Sequence, residues 1–218
     1  MYDVIAYAMS ALVVIFLTLP IHEFAHGLVS TMLGDPTPRY QGRLTLNPMA
    51  HIDWLGTLGI LLFGLGWAKP VQVNARYYKN PKFGMALVAL AGPISNIIVA
   101  FIAFFAMNLV GVLLAMINAS ALLTNIIFIF LFQIAHINIY LAVFNLIPIP
   151  PFDGSRILFI FLPQKYYFKI MQYERFIFIG ILALLYTGIL DLPLGIASGF
   201  VEELIYMAAS LPFNLLGV

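Results

Sequence analysis

His22-Glu23-Phe24-Ala25-His26 is the stretch of this chain whose residue types and spacing could do chemistry. Residues four apart lie on one face of an α-helix, one turn from each other. Two imidazoles so placed can reach a single zinc ion, and the glutamate between them then stands beside a water on that ion. Zinc lowers the pKa of bound water towards about 7, and a nearby carboxylate can take the proton and pass it on. Two plainer readings compete. Paired histidines can be satisfied core residues, and a structural zinc site would want four protein ligands and no general base. The setting weighs against the first. Val4 to Ile21 carry no charge, so the motif sits in a membrane helix. Ionisable groups there are expensive and functional by default.

The elements that must position this motif are membrane segments. The chain has 218 residues, 63% hydrophobic and 9% charged, with mean hydropathy +1.02. Soluble domains carry about 25% charged residues. The chain therefore reads as an all-α polytopic membrane protein with about five to six transmembrane or membrane-inserted segments and short cytosolic β-strand elements. A net charge of +1 suggests no nucleic-acid partner. The absence of cysteine excludes disulfides and thiolate metal sites. The N-terminus has no basic region or cleavage site, so Met1 onward reads as a mature first helix and not as a cleaved signal.

Val4 to Leu33 is predicted as one long helix, with Pro20 placed to kink it just before the motif and Gly34-Asp35-Pro36 to stop it. Alternation over Tyr40 to Leu46 predicts a short strand, with Val71 to Asn74 as its partner. Leu55 to Leu65 is apolar but too short to cross, which suits a re-entrant or interfacial segment. Phe83 to Ile117 and Asn125 to Leu162 are further long apolar stretches, the latter broken at Asn145 to Gly154 by three prolines in four positions. Phe176 to Leu190 reads as a fourth span. Leu192 to Leu211 is a possible fifth, weakened by Glu202 and Glu203. The whole is expected to form one integral membrane domain, residues 1–218, with a core over about 4–162 and additional membrane segments over 176–211. Arg39, Arg43, Lys69, Arg76, Lys79, Lys82, Lys165, Lys169 and Arg175 all fall on one side if Leu55 to Leu65 does not cross. The positive-inside rule then puts the N-terminus outside and the motif near the cytosolic face of what is expected to be a prokaryotic cell membrane.

Few charges remain inside the apolar stretches: Glu23, Asp153, Arg156, Glu202 and Glu203. Irregular backbone at membrane depth is tolerated only beside protein or a water-filled cavity, so a proline-rich break carrying an aspartate predicts a polar site. Catalytic zinc takes three protein ligands and keeps one position open. Asp153 is the natural third ligand. It lies about two to three turns from the cytosolic end of its stretch, a depth similar to that of His22 and His26. A helix N-cap role for Asp153 is compatible with ligation.

His22-Glu23-x-x-His26 together with Asn145-x-x-Pro148-x-Pro150-Pro151-x-Asp153-Gly154 closely resembles the site-2 protease family of intramembrane zinc metalloproteases. The resemblance extends to Gly92-Pro93-x-x-Asn96 and Asn47-Pro48-x-x-His51-Ile52-Asp53-x-x-Gly56-Thr57, and covers roughly Ile15 to Leu158. It implies one Zn2+ per chain held by His22, His26 and Asp153. Glu23 would be the catalytic residue that activates water to cleave a transmembrane-helix protein substrate. It also implies release of a membrane-tethered regulator or clearance of signal-peptide remnants. The chain has no room for a PDZ-like or nucleotide-sensing domain, so regulation would come from a partner membrane protein, substrate pre-cleavage or the strand-like segments.

Asn96 and Asn145 are candidates for holding the substrate backbone or the transition-state oxygen. An interhelical hydrogen bond for Asn96, and a cap on the break for Asn145, are the alternatives. His51 sits in polar, loop-like sequence and reads as structural. His136 reads as an interhelical contact. Arg156 follows Asp153 by three positions and could pair with it at the expense of ligation. A membrane metal-ion transporter or a zinc-binding membrane protein is the competing function, and an inactive scaffold a third. A transporter needs liganding groups strung along a pathway, whereas here they cluster at one depth.

Overall fold

The computed structural model describes residues 2–63 and 66–216. The last positions of the Leu55 to Leu65 segment and both ends of the 1–218 unit lie outside the described residues. Helix α1 (Tyr2–Val13) runs through a π turn (Val14–Thr18) into α2 (Leu19–Met32). Pro20 gives that turn its physical reason. Proline has no N–H to return, and its ring crowds the carbonyl four residues earlier. The wider turn, in which the Leu19 N–H bonds the Val14 carbonyl, takes up the misfit. The bend expected at Pro20 thus takes the form of a change in helical pitch one turn before His22. Gly34, at φ 101°, ends the helix.

Among the described residues there is no strand, which corrects the two cytosolic strands expected from alternation. Thr37–Tyr40 is instead a helical turn, α3, opened by Pro38, and the chain turns back at Gly42, φ 65°. Val71 to Asn74 is extended but has no ladder. The N–H of Val71 donates to the Glu23 carboxylate at 2.8 Å and that of Asn74 to the Asp35 carboxylate at 2.7 Å. Side-chain acceptors replace a neighbouring strand.

The remaining helices are α4 (Trp54–Phe63), α5 (Pro81–Met116), α6 (Ala121–Asn145), α7 (Asp153–Leu158), α8 (Gln164–Met171), α9 (Glu174–Tyr186) and α10 (Asp191–Leu216). Asn80 and Ser120 cap α5 and α6 through bonds to the Phe83 and Leu123 N–H groups. Among the described residues four helical segments are long and apolar enough to cross a membrane: Ala8–Met32, Pro81–Met116, Ala121–Asn145 and Asp191–Leu216. Helix α9, 13 residues long, rises only about 20 Å and falls short of the roughly 30 Å of hydrocarbon that the predicted fourth span would need.

Helix α5 is the centre of the bundle and packs against α2, α6, α7 and α10. Its contact with α6 and α10 is built on Ala100, Ala103, Ala135 and Ala209 around Phe104 and Ile139. Small residues let helix backbones approach where no hydrophobic force separates helix from lipid. Large apolar side chains such as Phe16, Ile98, Ile102 and Ile129 point outward, as a lipid-facing surface requires. Asn138, fully buried on α6, donates to the Thr18 hydroxyl at 3.1 Å and ties α6 to the π turn.

Candidate metal centre

The proline-rich break after α6 returns the chain so that α7 begins at Asp153, opposite the second turn of α2. Three buried ligand atoms meet there. His22 Nε2 is 3.1 Å from Asp153 Oδ2, His26 Nε2 is 3.2 Å from the same oxygen, and the two Nε2 atoms are 3.0 Å apart. Ligands bonded to a tetrahedral zinc at about 2.0 Å stand roughly 3.3 Å from each other. The triangle therefore fits one such ion, and two imidazoles with a carboxylate are a donor set suited to it. Among the described residues no fourth His, Asp or Glu joins the group. A three-ligand set leaves a position open, as catalytic rather than structural zinc requires. Phe152 is the N-cap of α7 and Asp153 its first residue, so the cap position expected for Asp153 falls to its neighbour while the Asp153 carboxylate faces the histidines.

Both rings rest on one stripe of α5. His26 Nδ1 bonds the Val88 carbonyl at 2.7 Å, Asn96 Nδ2 lies 3.2 Å from His22 Nδ1, and Gly92 lies between them. These three positions are four apart and so share a face. A Cβ on Gly92 would come within 2.6 Å of both Nε2 atoms, so only glycine lets the rings lie this close to the helix. Pro93, inside α5 on the same turn, has no N–H to return to the Ala89 carbonyl. A donated Nδ1–H leaves the His26 Nε2 lone pair for a metal.

Glu23 is half-buried one residue after His22 and accepts the Val71 N–H. The segment bearing Val71 is moored at both ends. The Lys69 N–H bonds the His51 carbonyl at 2.8 Å, and Asn74 is held by Asp35. Asp35 has no exposed surface and also accepts from the Ser30 hydroxyl at 2.8 Å and the Thr37 N–H at 2.9 Å. Burial works against its charged form, but these bonds outweigh it and hold the Asp35 carboxyl below its usual 3.8. A cavity of about 290 Å³ opens over the centre, lined by Glu23, His26, Val71, Asn145, Asp153 and Arg156 among others.

Of the residues predicted for the site, His22, His26 and Asp153 converge, with Glu23 on the same turn. Asn145 ends α6, bonds back to the Leu141 carbonyl at 3.0 Å and faces the cavity. Asn96 has no exposed surface and lies behind His22. Arg156 lines the cavity but forms no ion pair with Asp153, whose near oxygen is taken up by the imidazoles. His51 is buried and bonds the Thr45 carbonyl at 2.8 Å. His136 meets Glu202 of α10 at 2.7 Å, the interhelical contact its sequence setting suggests. Sequence reasoning missed the Val71 N–H, the Val88 carbonyl and Asp35. Main-chain groups leave no residue-type signal, and Asp35 looks like an ordinary helix stop.

Residues 105–186 match the sequence model described as peptidase family M50, a range that contains Asp153 but not the histidine pair. Over 183 residues, 84% of this chain and 80% of the relative, the chain is 41% identical to YwhC of Bacillus subtilis (strain 168), provisionally named a zinc metalloprotease. It is 38% identical over 106 residues to MJ0611 of Methanocaldococcus jannaschii, covering 48% of this chain and 49% of that one. It is 28% identical over 145 residues to Rip2 of Mycolicibacterium smegmatis, covering 63% and 51%. Both carry the same provisional name. No solved structure matches the chain.

Proposed function

The chain belongs to peptidase family M50, the site-2 proteases, and from that premise we propose that this zinc metalloprotease cuts a peptide bond within a transmembrane segment of a membrane-protein substrate, near the cytosolic face. The observation that carries this reading is the convergence of His22, His26 and Asp153 within 3.2 Å of one another, one residue from a glutamate, on a helix of membrane-spanning composition. Zinc, when bound, supplies a Lewis acid that acidifies water and polarises a carbonyl.

The chain's own residues do the rest. His22 and His26 would hold the ion through Nε2 from one helical turn, and Asp153 from the start of α7. Glu23 takes a proton from the attacking water and delivers it to the leaving amine as the C–N bond breaks. The Val71 N–H restrains the Glu23 carboxylate until substrate enters. Asn145, at the cavity wall, is placed to touch a substrate backbone. The site belongs to a single membrane domain.

Access from the bilayer has a structural basis. A second, mostly apolar cavity of about 390 Å³ lies among α1, α4, α6 and α9. It shares Leu19, Gly66, Leu141, Phe144 and Leu185 with the cavity over the centre. These shared walls support a reading in which a substrate arriving within the lipid passes by way of the second cavity to Glu23. The basic loops between the spans support a cytosolic position for the site, with the N-terminus outside and the chain in a prokaryotic cell membrane. Regulation would fall to a partner membrane protein. A metal transporter would need further liganding groups along a route, and among the described residues only one such group occurs.

The test compares purified wild type with Glu23→Gln. Both should hold about one zinc per chain, and only wild type should cut a transmembrane test substrate, in a chelator-sensitive way. Equal cleavage by Glu23→Gln sinks the proposed mechanism. Zinc flux into liposomes without cleavage would favour transport.

A further inference from the structure

We propose that Asn96 is a positioning residue whose side-chain carbonyl accepts the His22 Nδ1–H and so selects the imidazole tautomer that leaves Nε2 free for the metal. The inference rests on the metal-centre reading above and adds to it the group that orients one ligand. Asn96 has no exposed surface, and neither cavity reaches it. It therefore cannot meet substrate without a rearrangement of α5. What it does meet is His22, with Nδ2 3.2 Å from Nδ1, while its Oδ1 is buried with no partner.

A neutral imidazole carries one proton. If Asn96 Nδ2 donates to Nδ1, the proton of His22 sits on Nε2, aimed at Asp153 Oδ2 3.1 Å away. That tautomer points a proton at Asp153 and blocks ligation through Nε2. When Nε2 binds a metal, the proton must move to Nδ1, which then needs an acceptor. The two ends of an amide have the same shape, and which end faces a neighbour is an assignment made from the hydrogen-bond network. Turning the Asn96 amide over puts the unpartnered Oδ1 where that acceptor is needed. The other ligand shows the same device already in place, since His26 Nδ1 bonds the Val88 carbonyl at 2.7 Å. Val88 and Asn96 lie two turns apart on one face of α5, on either side of Gly92. One stripe of one helix thus supplies an acceptor to each histidine.

The experiment measures zinc affinity by chelator competition on purified wild type, Asn96→Leu and Asn96→Asp. Asn96→Leu removes the acceptor and should weaken zinc binding by about 10- to 100-fold, the usual effect of losing an outer-shell partner. Asn96→Asp keeps an acceptor and removes the amide N–H that the turned amide leaves unpaired. It should bind zinc within about threefold of wild type, or tighter. In zinc-loaded wild type labelled with 15N-histidine, His22 Nδ1 should carry the proton. A loss in Asn96→Asp equal to that in Asn96→Leu overturns the proposal, because a packing or donor role would not be rescued by a carboxylate. Unchanged affinity in Asn96→Leu overturns it equally. If Asn96→Leu does not fold, the Asp variant and the tautomer measurement decide. Failure of wild type itself to bind zinc would instead defeat the metal-centre reading.

Discussion

Gly92 lies so close beneath His22 that a methyl group on it would sit 2.5 Å from the ring's Cε1 and 2.6 Å from its Nε2. This contact reverses an ordinary expectation. Glycine in a helix interior is about 0.5–1 kcal/mol less favourable than alanine. Gly92→Ala should nevertheless destabilise the metal-free protein by about 1–3 kcal/mol, the usual cost of overpacking. It should also weaken zinc binding, because His22 and His26 are both displaced. Thermal unfolding with and without zinc checks this. A stabilised Gly92→Ala that still binds zinc would show that the rings do not occupy this position.

In the proposed site Asp153 would supply the one charged ligand, and its oxygen closes a triangle with edges of 3.0–3.2 Å. Asp153→Ala leaves two imidazoles and should lower zinc affinity by more than the roughly hundredfold that outer-shell changes reach. Removal of metal from wild type by a chelator should abolish cleavage, and added zinc should restore it. Asp153→Ala should not respond to added zinc at concentrations that restore wild type.

Much of this site was legible because its chemistry needs particular residue types at fixed spacing. Two histidines four apart declare a shared helical face, and an aspartate after a proline-rich break at membrane depth has few other uses. The long apolar helices were legible for the same reason, since a bilayer admits little else. The segments between α2 and α5 were not. Alternation over Tyr40 to Leu46 looks like a strand, but Pro36 and Pro38 favour a helical turn and Gly42 reverses the chain. The extended Val71 to Asn74 segment finds its partners in two carboxylates far away in sequence, Glu23 and Asp35. Helix α9 reads as a span by composition and falls short by length. Of the stripe of α5 behind the histidines, Gly92 and Asn96 belong to a sequence motif and Val88 lies outside it, and the roles of all three depend on a backbone carbonyl, an absent side chain and an amide orientation.

Asp35 gives a pH signature outside the membrane spans. Its carboxyl is held below the usual 3.8 by bonds from Thr37, Asn74 and Ser30 that outweigh the cost of burial. A depressed native pKa contributes stability above the unfolded value and loses it as pH falls through the native value. Wild type should therefore lose stability as pH falls from about 4 towards lower values. Asp35→Asn should be weaker at neutral pH by about 2 kcal/mol, the worth of a bond to a charged acceptor, and the two curves should converge in acid. Unfolding midpoints in detergent across this range test it. A constant difference at every pH would mean that the charge of Asp35 contributes nothing.

His136 and Glu202 join α6 to α10 at 2.7 Å and are not among the three ligand residues. Polar bonds between membrane helices average only about 0.6 kcal/mol, with a ceiling near 1.7, because the unfolded chain in lipid also finds partners. A double-mutant cycle with His136→Leu and Glu202→Leu should return a coupling in that range. Each single change should cost more than the pair together, since either one leaves a polar group unpaired in an apolar setting. Zinc stoichiometry should stay unchanged throughout, because neither side chain contacts a ligand atom. A coupling near zero would mean that α10 is held by the alanine-lined packing around Phe104 alone. Loss of zinc in either single variant would mean that the seat of α10 sets the geometry of the metal centre through α5.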